Sequence, residues 1–251
     1  MSKIAVISDV HGNLEALEAV LAQIDALGIK SIYSLGDVVG YGPDPEACLR
    51  LTAQRCCLRL MGNHEHAVFH GADSGFNFNE TAQRGIEWTR ARLLEADLLD
   101  SIGSLPSYQL AGDRLFVHGS ARNALNEYLL ESDASGFSTF DEIAASLMED
   151  FTGFRICFVG HNHKPFLATM EGFLHPHNDL CEFQVPPEEK LYVSVGSVGQ
   201  PRDRDPRACF VTFDGAKLIY HRVSYLFAKT AAKIRACGLP ESLANRLALG
   251  K

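Results

Sequence analysis

The 251-residue chain predicts an α/β fold in which two packed sheets carry helices on their outer faces, and three observations predict it. Strand-like apolar runs alternate with helical patterns through the first sixty or so residues. After Gly160 the pattern changes to short β-rich runs, which imply a second sheet. Five short polar motifs, scattered over more than 150 residues, each follow an apolar run, as they do when polar loops leave the ends of buried strands. The apolar fraction of 46% is ample for a globular core of this size.

Taken in order, Ile4-Ala5-Val6-Ile7 reads as a buried strand. Asn13 then caps a helix whose positions Leu14, Leu17, Leu21, Ile24 and Leu27 follow three-and-four spacing, with Gly28 closing it. A strand over Ser31 to Leu35, a helix from Pro45 and a strand over Cys56 to Met61 repeat the alternation, predicting parallel pairing through right-handed crossovers. A helical stretch falls between Asn79 and Leu99, and Thr139-Phe140-Asp141-Glu142 forms a capping box that opens a helix running through Asp150. Beyond it, strands are expected at Phe166 to Met170, Cys181 to Val185, Leu191 to Val195 and Cys209 to Phe213. Asp214-Gly215 then makes a hairpin turn into Lys217 to Val223. The stretch from Val185 to Lys190 reads as a surface loop. The tail is helical from Leu226 to Ala236, stops at Gly238 and restarts after Pro240. With no repeat, low-complexity tract or flexible linker, residues 1–251 are expected to form one domain, the helical tail 226–251 included.

Composition removes several function classes. The apolar run ahead of Asp9 is too short for a signal peptide, and nowhere do about 18 apolar residues follow one another, so a soluble, cytoplasmic protein without membrane contact is expected. Seven cysteines with no Cys-x-x-Cys pair suit a reducing compartment, where buried thiols act as small apolar groups. A formal charge of -8 argues against wrapping long nucleic acid. Arg202, Arg204 and Arg207 still form a local basic patch.

The five motifs are Asp9-Val10-His11, Gly36-Asp37, Gly62-Asn63-His64-Glu65, His118-Gly119 and Gly160-His161-Asn162-His163. Imidazole and carboxylate groups brought from separate loops are the donor set that a water-activating divalent metal requires, and two such ions need a shared ligand. The order and internal spacing resemble the calcineurin-like metallophosphoesterase superfamily, whose pattern runs Asp-x-His, Gly-Asp, Gly-Asn-His-(Asp or Glu), His, Gly-His-x-His. Ser8-Asp9-Val10-His11-Gly12-Asn13, Gly40-Tyr41-Gly42-Pro43-Asp44-Pro45 and Gly196-Ser197-Val198-Gly199-Gln200-Pro201-Arg202 extend the resemblance to bacterial phosphodiesterase-like members, so that it covers nearly the whole chain.

The resemblance implies a four-layer α-β-β-α sandwich of two mixed sheets. It implies one ion held by Asp9, His11, Asp37 and His163 and a second by Asp37, Asn63, His118 and His161, with Asp37 bridging. Nitrogen and oxygen ligands without thiolate suit Mn, Fe or Zn, and also admit Co or Ni. Two divalent ions against two aspartates and a hydroxide leave about one positive charge, which suits an anionic phosphate ester. His64, which is no ligand in the family pattern, is expected beside the site as proton donor to the leaving oxygen or as charge stabiliser. Glu65 and Asn13 are expected to support the ligands, Glu65 by accepting an imidazole N–H. Asn13, Arg122 and Arg202 are candidate substrate contacts, the two arginines because a planar guanidinium matches two phosphoryl oxygens.

Plainer readings apply elsewhere. Histidines 66, 70, 175, 177 and 221 read as surface or loop residues, and Trp88, Phe76 and Phe78 as core fillers in preference to a nucleobase platform. Gly196-Ser197-Val198-Gly199 lacks the lysine of a P-loop and reads as a turn; Gly119-Ser120 is no nucleophile elbow. The leading expectation is hydrolysis of a small phosphodiester or nucleotide by direct attack of metal-bound hydroxide. The alternatives are a phosphoprotein or dinucleoside polyphosphate phosphatase and a non-catalytic scaffold of the same fold. Against the first alternative, Gly40-Tyr41-Gly42 and Met61 stand where that branch carries arginines; against the second, no ligand is missing. Leu129 and Leu130 serve either the core or a partner contact, leaving the oligomeric state open.

Overall fold

The computed structural model describes residues 3–129, 154–169, 172–176, 180–188 and 190–251. Its strands are β1 (Ile4–Ile7), β2 (Ser31–Ser34), β3 (Leu58–Arg59), β4 (Tyr108–Ala111), β5 (Arg114–Val117), β6 (Ile156–Val159), β7 (Phe166–Thr169), β8 (Gly172–Leu174), β9 (Leu180–Gln184), β10 (Leu191–Ser194), β11 (Ala208–Phe213) and β12 (Lys217–Val223). The described helices are α1 (Leu14–Ala26), α2 (Pro45–Arg55), α3 (Asn63–His70), α4 (Glu80–Glu95), α5 (Asp100–Gly103), α6 (Phe227–Ala236) and α7 (Glu241–Leu247).

The strands make two mixed six-stranded sheets, ordered β3-β2-β1-β11-β12-β9 and β4-β5-β6-β10-β7-β8. In the first, β1 pairs parallel with β2 and β2 with β3, while β11 runs antiparallel to β1. In the second, β5, β6 and β10 are parallel. The sheets pack face to face in the α-β-β-α sandwich, and side-chain alternation along each strand decides which layer a residue enters. Ile4 and Val6 of β1 point between the sheets, whereas Ala5 and Ile7 meet Leu17, Val20 and Ile24 of α1. Phe158 of β6 likewise lies between the sheets, stacked on Phe116 at 5.0 Å and 5.8 Å from Phe213 of the opposite sheet. Its neighbours Cys157 and Val159 face outward, onto Leu115 and Tyr192.

Local signals placed the helices. The Asn13 side chain accepts from the Ala16 N–H at 3.2 Å, and Gly28 takes a φ of 69° while donating to the Asp25 carbonyl at 2.9 Å. Asn79 caps α4 through Ala82. The tail splits into α6 and α7 around Gly238, as expected. It has a small apolar cluster of its own, including Ile234, Leu243 and Leu247, with Tyr41 and Trp88 packed against it; Trp88 therefore packs the tail, as its plainer reading held. Two ties fasten the tail: Lys233 Nζ reaches Glu15 and Asp44 at 2.7 and 2.8 Å, and Thr230 Oγ1 meets Asn13 and Glu15 at 2.9 Å each.

Three expectations need correction. The strand over Cys56 to Met61 shrinks to Leu58–Arg59, because the Met61 N–H leaves the sheet to donate to the Pro106 carbonyl at 2.8 Å. The late strands do not form the second sheet by themselves: β7, β8 and β10 extend it, but β9, β11 and β12 complete the first. Strand patterning fixes which faces are buried and says little about distant partners. Helix α3 falls where a plain loop was expected; Glu65, three residues after Gly62, accepts the Gly62 N–H at 2.8 Å and closes half a capping box. The capping box at 139–142 with its helix, Leu130, Met170 and His177 lie outside the described residues. Among the described residues no helix is long and apolar enough to cross a membrane.

Candidate metal centre

Every predicted ligand lies just beyond the carboxyl end of a strand: Asp9 and His11 after β1, Asp37 after β2, Asn63 at the start of α3 with the non-ligand His64 beside it, His118 after β5, His161 and His163 after β6. The loops must turn sharply to converge. Asp9, His11, Asp37, His161 and His163 all take left-handed φ values, between 49° and 60°. For residues with a Cβ this conformation is costly and persists only where neighbours over-determine it. They do so here. The Asp9 N–H donates to Gly36 O (3.1 Å), the His11 N–H to Asp37 O (2.9 Å), the Gly199 N–H to Asp9 O (2.9 Å) and the Arg202 N–H to His163 O (3.1 Å). Glu65 binds the loop after β2 with a carboxylate cradle: Oε2 accepts from Asp37 N and Gly62 N at 2.7 and 2.8 Å, Oε1 from Val38 N and Val39 N at 2.7 and 3.1 Å. Four N–H donors leave no position for a carboxyl proton, so the geometry holds Glu65 ionised even though burial and Asp37 push its pKa up to about 7. It orients backbone and not, as expected, an imidazole. Glycine is needed at position 40, where a Cβ would enter the His64 ring, and at position 62, where it would enter the Asp37 carboxylate.

The donor atoms fall into two groups, Asp9, His11, Asp37 and His163, and Asp37, His118 and His161, with the atoms of each within 4.8 Å of one another. Asp37 belongs to both. Its Oδ2 lies 3.6 Å from His11 Nε2 and 3.3 Å from His118 Nε2, while its Oδ1 accepts the His64 N–H at 2.9 Å. Asn63 Oδ1 sits 3.1 Å from His118 Nε2, beside the second group. The tautomers of the first group follow from their outer partners. His11 Nδ1 faces the Val39 carbonyl at 3.0 Å and His163 Nδ1 the Gln200 carbonyl at 2.6 Å, and a carbonyl only accepts. Both Nδ1 atoms therefore carry hydrogen, and two bare Nε2 lone pairs confront each other at 3.1 Å. Asp9 Oδ1 and His161 Nε2 are buried with no hydrogen-bond partner. Facing lone pairs beside an orphaned carboxylate oxygen repel one another unless a cation joins them, so the residues present fit a divalent metal.

The electrostatics agree. Burial holds His11 and His163 well below the usual histidine range and pushes His161 down to about 2, aided by the His118 charge, leaving all three as neutral donors. Burial also raises Asp9 to about 7, with Asp37 adding to it. His118 moves the other way: burial opposes its charge, but Asp37 overcomes it and lifts the ring to about 9. A buried site that recruits a proton onto imidazole to balance its aspartates is short of positive charge.

A cavity of about 280 Å³ opens over these groups, lined by Asp37, Asn63, His161 and His163 below and by Tyr41, His64, Phe78, Asn126, Tyr128, Arg202 and Arg246 above. The His64 ring is wedged among Tyr41 (4.5 Å), His11 (4.8 Å) and Phe78 (5.3 Å), with Nδ1 unpartnered and burial lowering its pKa to about 4. Arg202 lines the cavity as expected. Arg122 does not, because Glu127 engages its guanidinium at 2.5 and 3.2 Å. Asn13 does not line it either: beyond capping α1, its Nδ2 donates to Gly199 O at 2.8 Å and Tyr225 OH at 3.2 Å. Sequence reasoning missed Tyr41, Tyr128, Asn126 and Arg246, and assigned Phe78 to the core. Only Tyr41 carried a signal, since it belongs to a motif that had supported the family resemblance. His221 is also corrected, from surface to interior: it is 6% exposed, stacked on Phe210 at 4.6 Å and 3.0 Å from Thr212 Oγ1.

Comparison with known proteins agrees with this architecture. The family model for calcineurin-like phosphoesterases matches residues 2–193. An uncharacterized protein of Methanocaldococcus jannaschii is 36% identical over 256 residues, covering 100% of this chain and 99% of its own. The crystal structure of a metallophosphoesterase from Sphaerobacter thermophilus superposes with a TM-score of 0.84 at 39% identity, over 100% of this chain and 99% of that one. A hypothetical protein of Pyrococcus horikoshii shares the fold, with a TM-score of 0.79 at 20% identity and the same coverage. From the loops that converge at the strand ends to the match across most of its length, the chain belongs to the calcineurin-like phosphoesterase family.

Proposed function

We propose that the protein is a dinuclear metal-dependent phosphodiesterase, acting on a small phosphodiester or nucleotide in the cytoplasm. The carrying observation is the pair of donor groups that share Asp37, one of them with imidazole lone pairs set face to face. On this reading Asp9, His11, Asp37 and His163 hold one ion and Asp37, Asn63, His118 and His161 the other, with Mn, Fe or Zn as the suitable metals. When bound, such ions supply the Lewis acidity that activates water and neutralises charge developing on phosphoryl oxygens. The chain supplies the rest. His64, whose ring lines the cavity, is placed to hold or pass a proton at the leaving oxygen. Arg202 is a phosphate contact in the cavity wall, and Tyr41, Phe78 and Tyr128 exclude water around the ester substituents. The aromatic wall and the absence of the second-branch arginines support a diester over a phosphoprotein. All seven cysteines are free, which supports a reducing compartment.

The test is hydrolysis of bis-p-nitrophenyl phosphate after manganese loading, in the wild type, His64→Ala and Asp37→Asn. Turnover by the wild type and losses in both variants are expected; equal rates in all three overturn the mechanism. Metal analysis of the loaded protein should give about two ions per chain, and fewer than about one would point to a scaffold.

A further inference from the structure

Two guanidinium groups in the cavity wall face the opening without an acid. Arg202 and Arg246 are both half-buried. Arg202 donates through one terminal nitrogen to Gln200 Oε1 at 2.8 Å, and Arg246 through Nε to the Lys251 carbonyl at 2.7 Å. Among the described residues neither meets an aspartate or glutamate carboxylate at ion-pair distance, whereas Arg207 and Arg222 both do. The Nε of Arg202 is buried with no hydrogen-bond partner among the described residues. Each guanidinium carbon lies 6.0 Å from the centre of the same Tyr41 ring. Burial and the Arg202 charge together push the Arg246 pKa down. Two cations held near one another in a chain with 31 acidic residues against 23 basic ones form an arrangement that an anion would relieve.

Arg246 is held in place by more than its own contacts. It stands on α7, in the tail beyond the stretch matched by the family model. That tail is locked to the loop beside the site through Lys233 with Asp44 and through the packing of Tyr41 on the tail's apolar cluster. Beyond Arg246 a second chamber of about 500 Å³ opens, sharing Tyr41, Asn79 and Arg246 with the first and lined further by Glu80 and Lys251. Arg202 touches only the inner chamber; Arg246 stands at the junction of the two.

We infer that Arg202 and Arg246 form a subsite for a second phosphate, so that the substrate is a phosphodiester carrying a further phosphate group beside the scissile one. This rests on the hydrolase reading above for what happens at the scissile phosphate, but the subsite itself is testable by binding alone. Calorimetric titration of manganese-loaded protein compares thymidine 3′,5′-bisphosphate with thymidine 5′-monophosphate. The bisphosphate should bind about tenfold more tightly to the wild type, and Arg246→Gln should abolish that preference while Arg246→Lys retains part of it. Added sodium chloride should weaken the bisphosphate more than the monophosphate, a readout that needs no variant. Equal affinities in the wild type, or a preference that survives in Arg246→Gln, would overturn the subsite. Thymidine 5′-(p-nitrophenyl phosphate), with and without a 3′-phosphate, separates the two levels. No p-nitrophenol from either ester with the binding preference intact would sink the hydrolase reading and leave the subsite standing. Release from both at equal kcat/KM, with equal binding, would do the reverse.

Discussion

The floor of the cavity and the rim above it differ in what holds their side chains in place. On the floor, four of the proposed ligands are fixed from behind: His11 and His163 by backbone carbonyls, the Asp37 loop by the four N–H bonds to Glu65, and the strained backbone at Asp9 by bonds to Gly36 and Gly199. On the rim, Tyr128 is 46% exposed and rests on His161 through ring stacking, and Arg202 and Arg246 have polar contacts but no ion pair among the described residues. A preorganised floor suits chemistry that is the same for every phosphate ester, because fixed donors cost no reorganisation when charge develops. The looser rim suits the choice among substrates. Changes on the floor should therefore alter metal content and turnover together, and changes on the rim should alter affinity with the metals still in place.

The largest expected effect is at the point the two donor groups share. Asp37→Asn keeps the shape but removes the charge that both groups use, and kcat on bis-p-nitrophenyl phosphate should fall by roughly 10³-fold. Metal per chain, measured by mass spectrometry of the dialysed protein, should fall with it. Full metal content in this variant would mean that Asp37 does not tie the ions together, and the distinction between floor and rim would lose its basis. Next in size is Glu65→Gln. An amide nitrogen would then face backbone donors, leaving buried N–H groups unsatisfied at a cost of about 2 to 3 kcal/mol in urea unfolding. Activity should drop as well, although Glu65 touches neither metal nor substrate in the proposed site, because it sets the position of the Asp37 loop. An unchanged midpoint would show that the cradle is not what fixes the floor.

The same division explains what could be read from the sequence. Floor residues come in short motifs, each directly after an apolar run, so order and spacing carry them. Glu65 was recognised as a support, but backbone N–H groups have no residue type and left no sign that they were its partners. Rim residues arrive singly, from positions 41, 78, 126, 128, 202 and 246, and Arg246 reaches the cavity from a tail that packs on Tyr41. Composition identified Arg202 and Arg122 as equally suitable phosphate contacts; Glu127, five residues from Arg122, decided against one of them. In the fold, helices declared themselves through local caps at Asn13, Pro45 and Asn79. The assignment of β9, β11 and β12 to the first sheet depended on β11 meeting β1 across some two hundred residues, a contact that no local pattern encodes.

The smallest effect tests the rim at its closest approach to the floor. The Tyr128 ring stacks on His161 at 3.8 Å and 17°, and His161 Nε2 is, like Asp9 Oδ1, a donor atom with no hydrogen-bond partner among the described residues. Among the described residues no hydrogen bond involving its ring nitrogens orients this imidazole, whereas carbonyls behind His11 and His163 orient theirs, so the stack does for His161 what those carbonyls do for the other two. Such a stack contributes about 1 kcal/mol. Tyr128→Leu should then raise the apparent dissociation constant of the second ion about fivefold, read as the manganese concentration giving half-maximal activity. At saturating manganese, kcat should recover to near the wild-type value, because no ligand has been removed. Were kcat to remain depressed at saturation, Tyr128 would belong with the groups that act on the ester, and the boundary between floor and rim would run above it.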